Sequence, residues 1–199
     1  MGGVCGNGRF STVFFVESIK TGKILVAKIF SEERSTDDIE REVTILSEMN
    51  HSNLPRYKGT FISEKGLIVV MKQACGLPVI DFINRLSKSP DTIKDKFTVP
   101  SEDLLRRLSR EIIFAVEYLH AKNIMHLDIR VILKYLPFAY QFLESDPANL
   151  LVDDHLTLID FGCAQFCNEA QSNWGDGDES YSAPERSSGL SPTTKSDIW

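Results

Sequence analysis

Short stretches rich in β-branched and aromatic residues, set off by turn residues, fill the first third of the chain. Val13 to Val16 and Ile24 to Phe30 are two such stretches, and Lys20-Thr21-Gly22 between them supplies a turn, so the pattern predicts paired strands. Ser35-Thr36-Asp37-Asp38 then has the chemistry of a helix start, a hydroxyl able to accept from an orphan amide and acids at the positive end of the helix dipole. Ile39, Val43, Leu46 and Met49 recur at helical spacing and predict one apolar helix face. Phe61-Ile62 and Leu67 to Met71 predict a second hairpin around Glu64-Lys65-Gly66. After Gly76 the period becomes helical. Residues 101–120 open on Ser-Glu-Asp and bring Leu104, Leu105, Leu108, Ile112, Ala115, Val116 and Leu119 to an inward face. Short strands are predicted at Leu150-Leu151-Val152 and Leu156 to Ile159, and a polar, glycine-containing loop at residues 163–180. The expected class is α+β, with a small antiparallel β lobe at residues 1–73 and a mainly helical lobe at residues 74–199.

Composition narrows the function classes. The 199 residues are 42% hydrophobic and 25% charged, which is ordinary for a globular core. A net charge of -6 offers no basic field, so no nucleic-acid partner is expected. The most apolar run, Ile112 to Leu119, is too short to cross a bilayer, and no secretory signal pattern is present. A soluble, cytoplasmic protein with no membrane partner is expected. Cys5, Cys75, Cys163 and Cys167 form no paired Cys-x-x-Cys motifs, which argues against a zinc ribbon and for reduced thiols. The spacing of Cys163 and Cys167 suits one face of a helical turn.

Two features carry candidate chemistry in the first half. Gly6-Asn7-Gly8-Arg9-Phe10-Ser11-Thr12-Val13 is a glycine-containing strand-turn-strand whose backbone can approach a phosphate closely and donate amide hydrogens. A tight hairpin without ligand has the same signature. Leu25-Val26-Ala27-Lys28 puts a lysine within a strand that reads as buried, and burying an unpaired ammonium is costly. Lys28 therefore needs anions: Glu42 on the following helix for one, nucleotide phosphates for the other. The plainer alternative is an edge lysine whose head group reaches solvent.

The second half carries His126-Leu127-Asp128-Ile129-Arg130, then Pro147-Ala148-Asn149-Leu150-Leu151-Val152, then Asp160-Phe161-Gly162. Ser182-Ala183-Pro184-Glu185 and Ser196-Asp197-Ile198-Trp199 follow. This order resembles the eukaryotic protein kinase domain over nearly the whole chain. The resemblance implies a two-lobed fold, ATP and Mg2+ as cofactors, and a protein substrate phosphorylated on serine or threonine, since a basic residue such as Arg130 two places after Asp128 is typical of that type. By position, Asp128, Lys28, Glu42 and Arg130 would be catalytic. Gly6, Gly8, Val13, Val26, Lys28, Met71, Gln73 and Leu151 would bind nucleotide, and Asn149 and Asp160 would hold the metal. Leu46, Tyr57, His126 and Phe161 would stack as an internal column, with Asp197 beneath the catalytic loop. The Leu of His-Leu-Asp further resembles the calcium/calmodulin-kinase-related giant muscle kinases, titin, twitchin and obscurin. That implies cytoskeletal or sarcomeric partners and control by flanking sequence.

The chain also departs from the family pattern. Asp128 and Asn149 are 21 positions apart where the family has five, and removing Val131 to Asp146, 16 residues, restores the spacing. This atypical insert at 131–146 is apolar and aromatic within a loop that must place its groups finely. It reads as untranslated sequence retained in a gene model, or else as a loop that damages catalysis. Leu127 stands where the family has an arginine that receives an activation-segment phosphate, and Glu169, Asp176, Asp178 and Glu179 would repel one at Ser172 or Ser180. Lys72 replaces a usual hinge acid. The resemblance also implies a helical lobe truncated at the C-terminus, with Glu185 lacking its arginine partner and the face of the helix at 104–119 left open. Two readings stand: an active kinase, favoured by the complete set of acids and Lys28, and a catalytically impaired pseudokinase scaffold, favoured by the insert.

Overall fold

The computed structural model describes residues 2–64, 66–79, 81–82, 85, 101–130, 149–169 and 182–199. The chain divides into two compact units, Met1–Ala74 and Cys75–Trp199. The insert at 131–146, together with Ser172, Asp176, Asp178, Glu179 and Ser180, lies outside the described residues.

The first unit is built on a five-stranded antiparallel sheet. Its strands are β1 (Val4–Gly8), β2 (Ser11–Glu17), β3 (Ile24–Phe30), β4 (Tyr57–Ser63) and β5 (Gly66–Lys72), in the spatial order β1-β2-β3-β5-β4. The β4–β5 hairpin turns at Gly66, whose φ of 97° suits glycine. β3 is central, and three consecutive residues in it, Val26, Ala27 and Lys28, are buried, so both of its faces are covered. Helix α1 (Thr36–Glu48) follows, and the Ser35 side chain accepts from the Asp38 amide at 3.2 Å, the cap the sequence predicts. Of the expected apolar set, Leu46 and Met49 are buried and Ile39 and Val43 half-buried, and Glu42 and Ile45 are buried beside them. Glu42 turns inward to meet Lys28 and Arg34.

The second unit packs helix α2 (Glu102–Ala121) against β7 (Ile124–Met125) and β9 (Leu156–Leu158). β9 pairs with β8 (Leu150–Val152), which pairs with β6 (Leu77–Pro78), and β10 (Gln165–Phe166) pairs with β7. A short helix α3 (Pro184–Ser187) and a 3-10 turn (Thr194–Asp197) complete the described elements. Ser101 caps α2 through the Leu104 amide at 3.2 Å. Leu108, Ala115, Val116 and Leu119 form the buried stripe of α2. Leu105, although at stripe spacing, is 42% exposed near the start of α2. Ile113 and Phe114 are likewise exposed. No described helix is long and apolar enough to cross a membrane.

One close approach fixes how β6 enters this unit. Gly76 has φ of 114°, and a Cβ there would lie 2.4 Å from the carbonyl carbon of Val152. Gly76→Ala is expected to lower the unfolding free energy by about 1–3 kcal/mol, because both overpacking and the left-handed backbone oppose the methyl group. Chemical denaturation checks this; an unchanged midpoint at unchanged slope would contradict the close packing of Gly76 on Val152.

Candidate active site

Strand register gathers several candidate residues in the first unit. Lys28 lies opposite Val13 on β2 and Val69 on β5, and Val26 lies opposite Met71. Opposed residues, and residues two apart, share a face of the sheet. Val13, Val26, Lys28 and Met71 therefore occupy one face, with Gly6 opposite Val13 at its edge. A Cβ built on Gly6 would meet no atom within 4 Å, so the backbone there is open to close approach. Gly8 pairs with Ser11 to close the β1–β2 hairpin, and Gln73 is half-buried just past β5.

Lys28 is 5% exposed, and its Nζ lies 2.6 Å from Oε1 of Glu42, itself 1% exposed. Glu42 holds a second cation: Nη1 of Arg34 lies 2.7 Å from Oε2. Removing either partner of such a buried pair leaves an uncompensated charge, so the pair is costly to break even where it adds little net stability. The edge-lysine alternative for Lys28 is thereby set aside.

In the second unit a closed set of hydrogen bonds holds the loop after β7. The Asp197 carboxylate accepts from the His126 amide at 2.9 Å and from the Leu127 amide at 2.7 Å, and its Oδ2 lies 2.9 Å from His120 Nε2. These bonds stabilise Leu127 in the left-handed region at φ 62°, which costs a branched side chain about 1–3 kcal/mol. The Leu127 carbonyl accepts from Arg186 at 2.7 Å. The His126 ring, fully buried, reaches the Ile159 carbonyl at 3.1 Å and meets Phe161 edge-on at 4.8 Å. The Ile159 amide in turn donates to the Asn149 carbonyl at 2.8 Å.

Asp128 is the focus of that frame. Asn149 Nδ2 donates to its Oδ2 at 2.6 Å and to its carbonyl at 2.8 Å. Arg130 sets Nη2 3.2 Å from Oδ2 and Nε 3.2 Å from Oδ1. Burial pushes the Asp128 carboxyl above its ordinary value. Arg130, His126 and the Asn149 hydrogen bond pull it back in part, while the Asp160 charge adds to the rise. A half-buried carboxylate kept slightly basic is suited to accept a proton.

Asn149 and Asp160 offer oxygens, as a hard cation requires. The Asn149 amide nitrogen is committed to Asp128, which leaves its oxygen as the ligating atom. Asp160 is exposed, at φ 61°, and its Oδ1 accepts from the Gly162 amide at 3.2 Å. No group of three His, Cys, Asp or Glu side chains among the described residues is placed to hold a metal. One amide and one carboxylate fit magnesium, which keeps much of its shell for water and phosphate. Leu151 is half-buried on β8.

Ser196 Oγ donates to the Glu185 carboxylate, and that bond holds the carboxyl below its ordinary value. One expectation needs correction. Cys163 and Cys167 do not share a helical face; they flank the strand β10, neither in a disulfide. Sequence reasoning missed Arg34 and Arg186. Both sit among polar residues with no periodicity to mark them, and only the fold brings them to Glu42 and to Leu127.

Residues 2–199 match the family model described as protein kinase domain. Among curated proteins, serine/threonine-protein kinase dst2 of Dictyostelium discoideum is 27% identical over 202 residues, 96% of this chain and 15% of that protein. Serine/threonine-protein kinase KIC1 of Saccharomyces cerevisiae is 25% identical over 205 residues, 98% of this chain and 16% of that protein. Serine/threonine-protein kinase dst1 of Dictyostelium discoideum is 28% identical over 200 residues, 98% of this chain and 24% of that protein. The chain thus spans about a quarter or less of the length of these relatives.

The raised Asp128 carboxyl has a measurable consequence. A carboxyl raised above its unfolded value of 3.8 contributes stability that is fully present below that pH and is lost as pH rises through the folded-state value. Asp128→Asn removes this dependence. Its thermal midpoint is therefore expected to gain on that of the parent between about pH 3.5 and pH 7. A difference that stays constant, or shrinks, over that range would contradict the burial of Asp128.

Proposed function

The chain belongs to the protein kinase domain family, and on that premise we propose that it transfers the terminal phosphoryl of ATP to a serine or threonine hydroxyl of a protein substrate. The observation that carries the proposal is the Asp128 carboxylate, half-buried, raised above its ordinary value by burial, and oriented by Asn149 and Arg130. On this reading the substrate hydroxyl gives its proton to Asp128 while its oxygen forms the new bond to phosphorus. The bond from phosphorus to the bridging oxygen breaks, and the electron pair leaves with ADP. Arg130 and Asn149 fix the carboxylate so that the proton meets one defined oxygen. Lys28, steadied by Glu42, receives phosphate oxygens, and Val13, Val26, Met71 and Gln73 receive the base. Gly6 and Gly8 bring backbone amides to the phosphates. Bound at Asn149 and Asp160, magnesium would neutralise phosphate charge.

A second reading is supported by the 21-residue separation of Asp128 and Asn149. It is a nucleotide-binding scaffold that transfers slowly or not at all. A narrower proposal rests on Leu127 alone: a cytoplasmic enzyme like the giant muscle kinases, acting on cytoskeletal or sarcomeric proteins. Leu127 is 5% exposed and bonded through its backbone, and its own side chain offers no charge to receive a phosphate.

Lys28→Met separates these readings from one without nucleotide. It is expected to weaken magnesium-ATP binding about tenfold or more, the scale of a charge-assisted hydrogen bond, and to abolish transfer. Equilibrium titration with nucleotide checks the first part. Equal affinity in parent and variant would remove Lys28 as a phosphate ligand.

A further inference from the structure

Among the described residues, Arg34 is a charged side chain beside Glu42 that the kinase reading leaves without a task. It belongs to the turn between β3 and α1, where its amide donates to the Ser31 carbonyl at 3.2 Å, and it immediately precedes the cap residue Ser35. From there its guanidinium runs along the helix to Glu42, with the side chain only 7% exposed. Lys28 and Arg34 do not compete. Lys28 takes Oε1 and Arg34 takes Oε2, so the two oxygens of one carboxylate are held from two different elements. Phe30, 5% exposed, lies beside both: its ring centroid is 5.6 Å from Lys28 Nζ and 5.3 Å from Arg34 Cζ.

We infer that Arg34 is a positioning residue: it clamps the second oxygen of Glu42, fixes α1 in rotation and depth, and so keeps Glu42 in reach of Lys28. The physical case is direct. α1 has 13 residues, short enough to be marginal without tertiary contacts. Rotating it, or sliding it along its axis, would break the Lys28 hydrogen bond and the Arg34 ion pair together. With Arg34 absent, a carboxylate 1% exposed would lose the cation at its second oxygen, and α1 would gain freedom to turn Glu42 toward water.

This role deepens the proposed kinase function and rests on it for its catalytic consequence, though the clamp itself is a property of the ligand-free protein. The test is a double-mutant cycle on the full chain with Arg34→Met, Glu42→Gln and both. Two signals are read: hydrogen exchange of the α1 amides without ligand, and kcat and KM for ATP. Arg34→Met is expected to speed α1 exchange and lower kcat/KM about tenfold or more, with most of the loss in kcat. In the Glu42→Gln background it should change neither, and Arg34→Lys should recover part of both. If Arg34→Met does not fold, Arg34→Lys against Arg34→Gln makes the same comparison. Unchanged exchange in Arg34→Met, or an equal effect in the Glu42→Gln background, overturns the clamp. If the parent neither binds ATP nor transfers phosphoryl, the kinase reading fails, and exchange alone still decides the clamp.

Discussion

One carboxylate organises the second unit. Asp197 takes the amides of His126 and Leu127 and stands beside the His120 ring, with its side chain fully buried. Two adjacent amides pointing at one acceptor require a sharp backbone turn, and Leu127 supplies it in a left-handed conformation that leucine resists. That turn decides where the next residue, Asp128, emerges. The His126 ring then ties the same loop to Ile159, and Ile159 ties to Asn149. Position therefore passes from Asp197 to Asn149, beside Asp128, through hydrogen bonds that satisfy partly buried polar atoms.

Charge is handled differently in the two units. Asp128 is left undercompensated: burial outweighs Arg130 and Asn149, and its proton affinity rises. Glu42 meets two cations at short distance, which suits a residue meant to stay in place.

Much of this was legible in the residues. The hairpins, both helix starts and the central placement of Lys28 followed from β-branched runs, Ser-led caps and the cost of burying an ammonium. The pairing of Lys28 with Glu42 followed from the same cost. Other features were not legible. The inward face of α1 includes Ile45 beside Glu42, which the apolar spacing alone did not mark. Arg34 and Arg186 reach their partners only through the fold. The left-handed Leu127 has no local signal, because its conformation is imposed by Asp197, 70 residues away.

The central claim is that Asp128, held in this frame, makes the chain a phosphoryl-transfer enzyme acting on serine and threonine. The most direct measurement incubates the chain with magnesium and ATP labelled in its terminal phosphate, together with peptide mixtures that carry either serine and threonine or tyrosine as acceptors. The account predicts label on the serine and threonine mixture, little on tyrosine, and none above background with Asp128→Asn. Magnesium-ATP binding with no label on any acceptor would contradict it and leave the scaffold reading in its place.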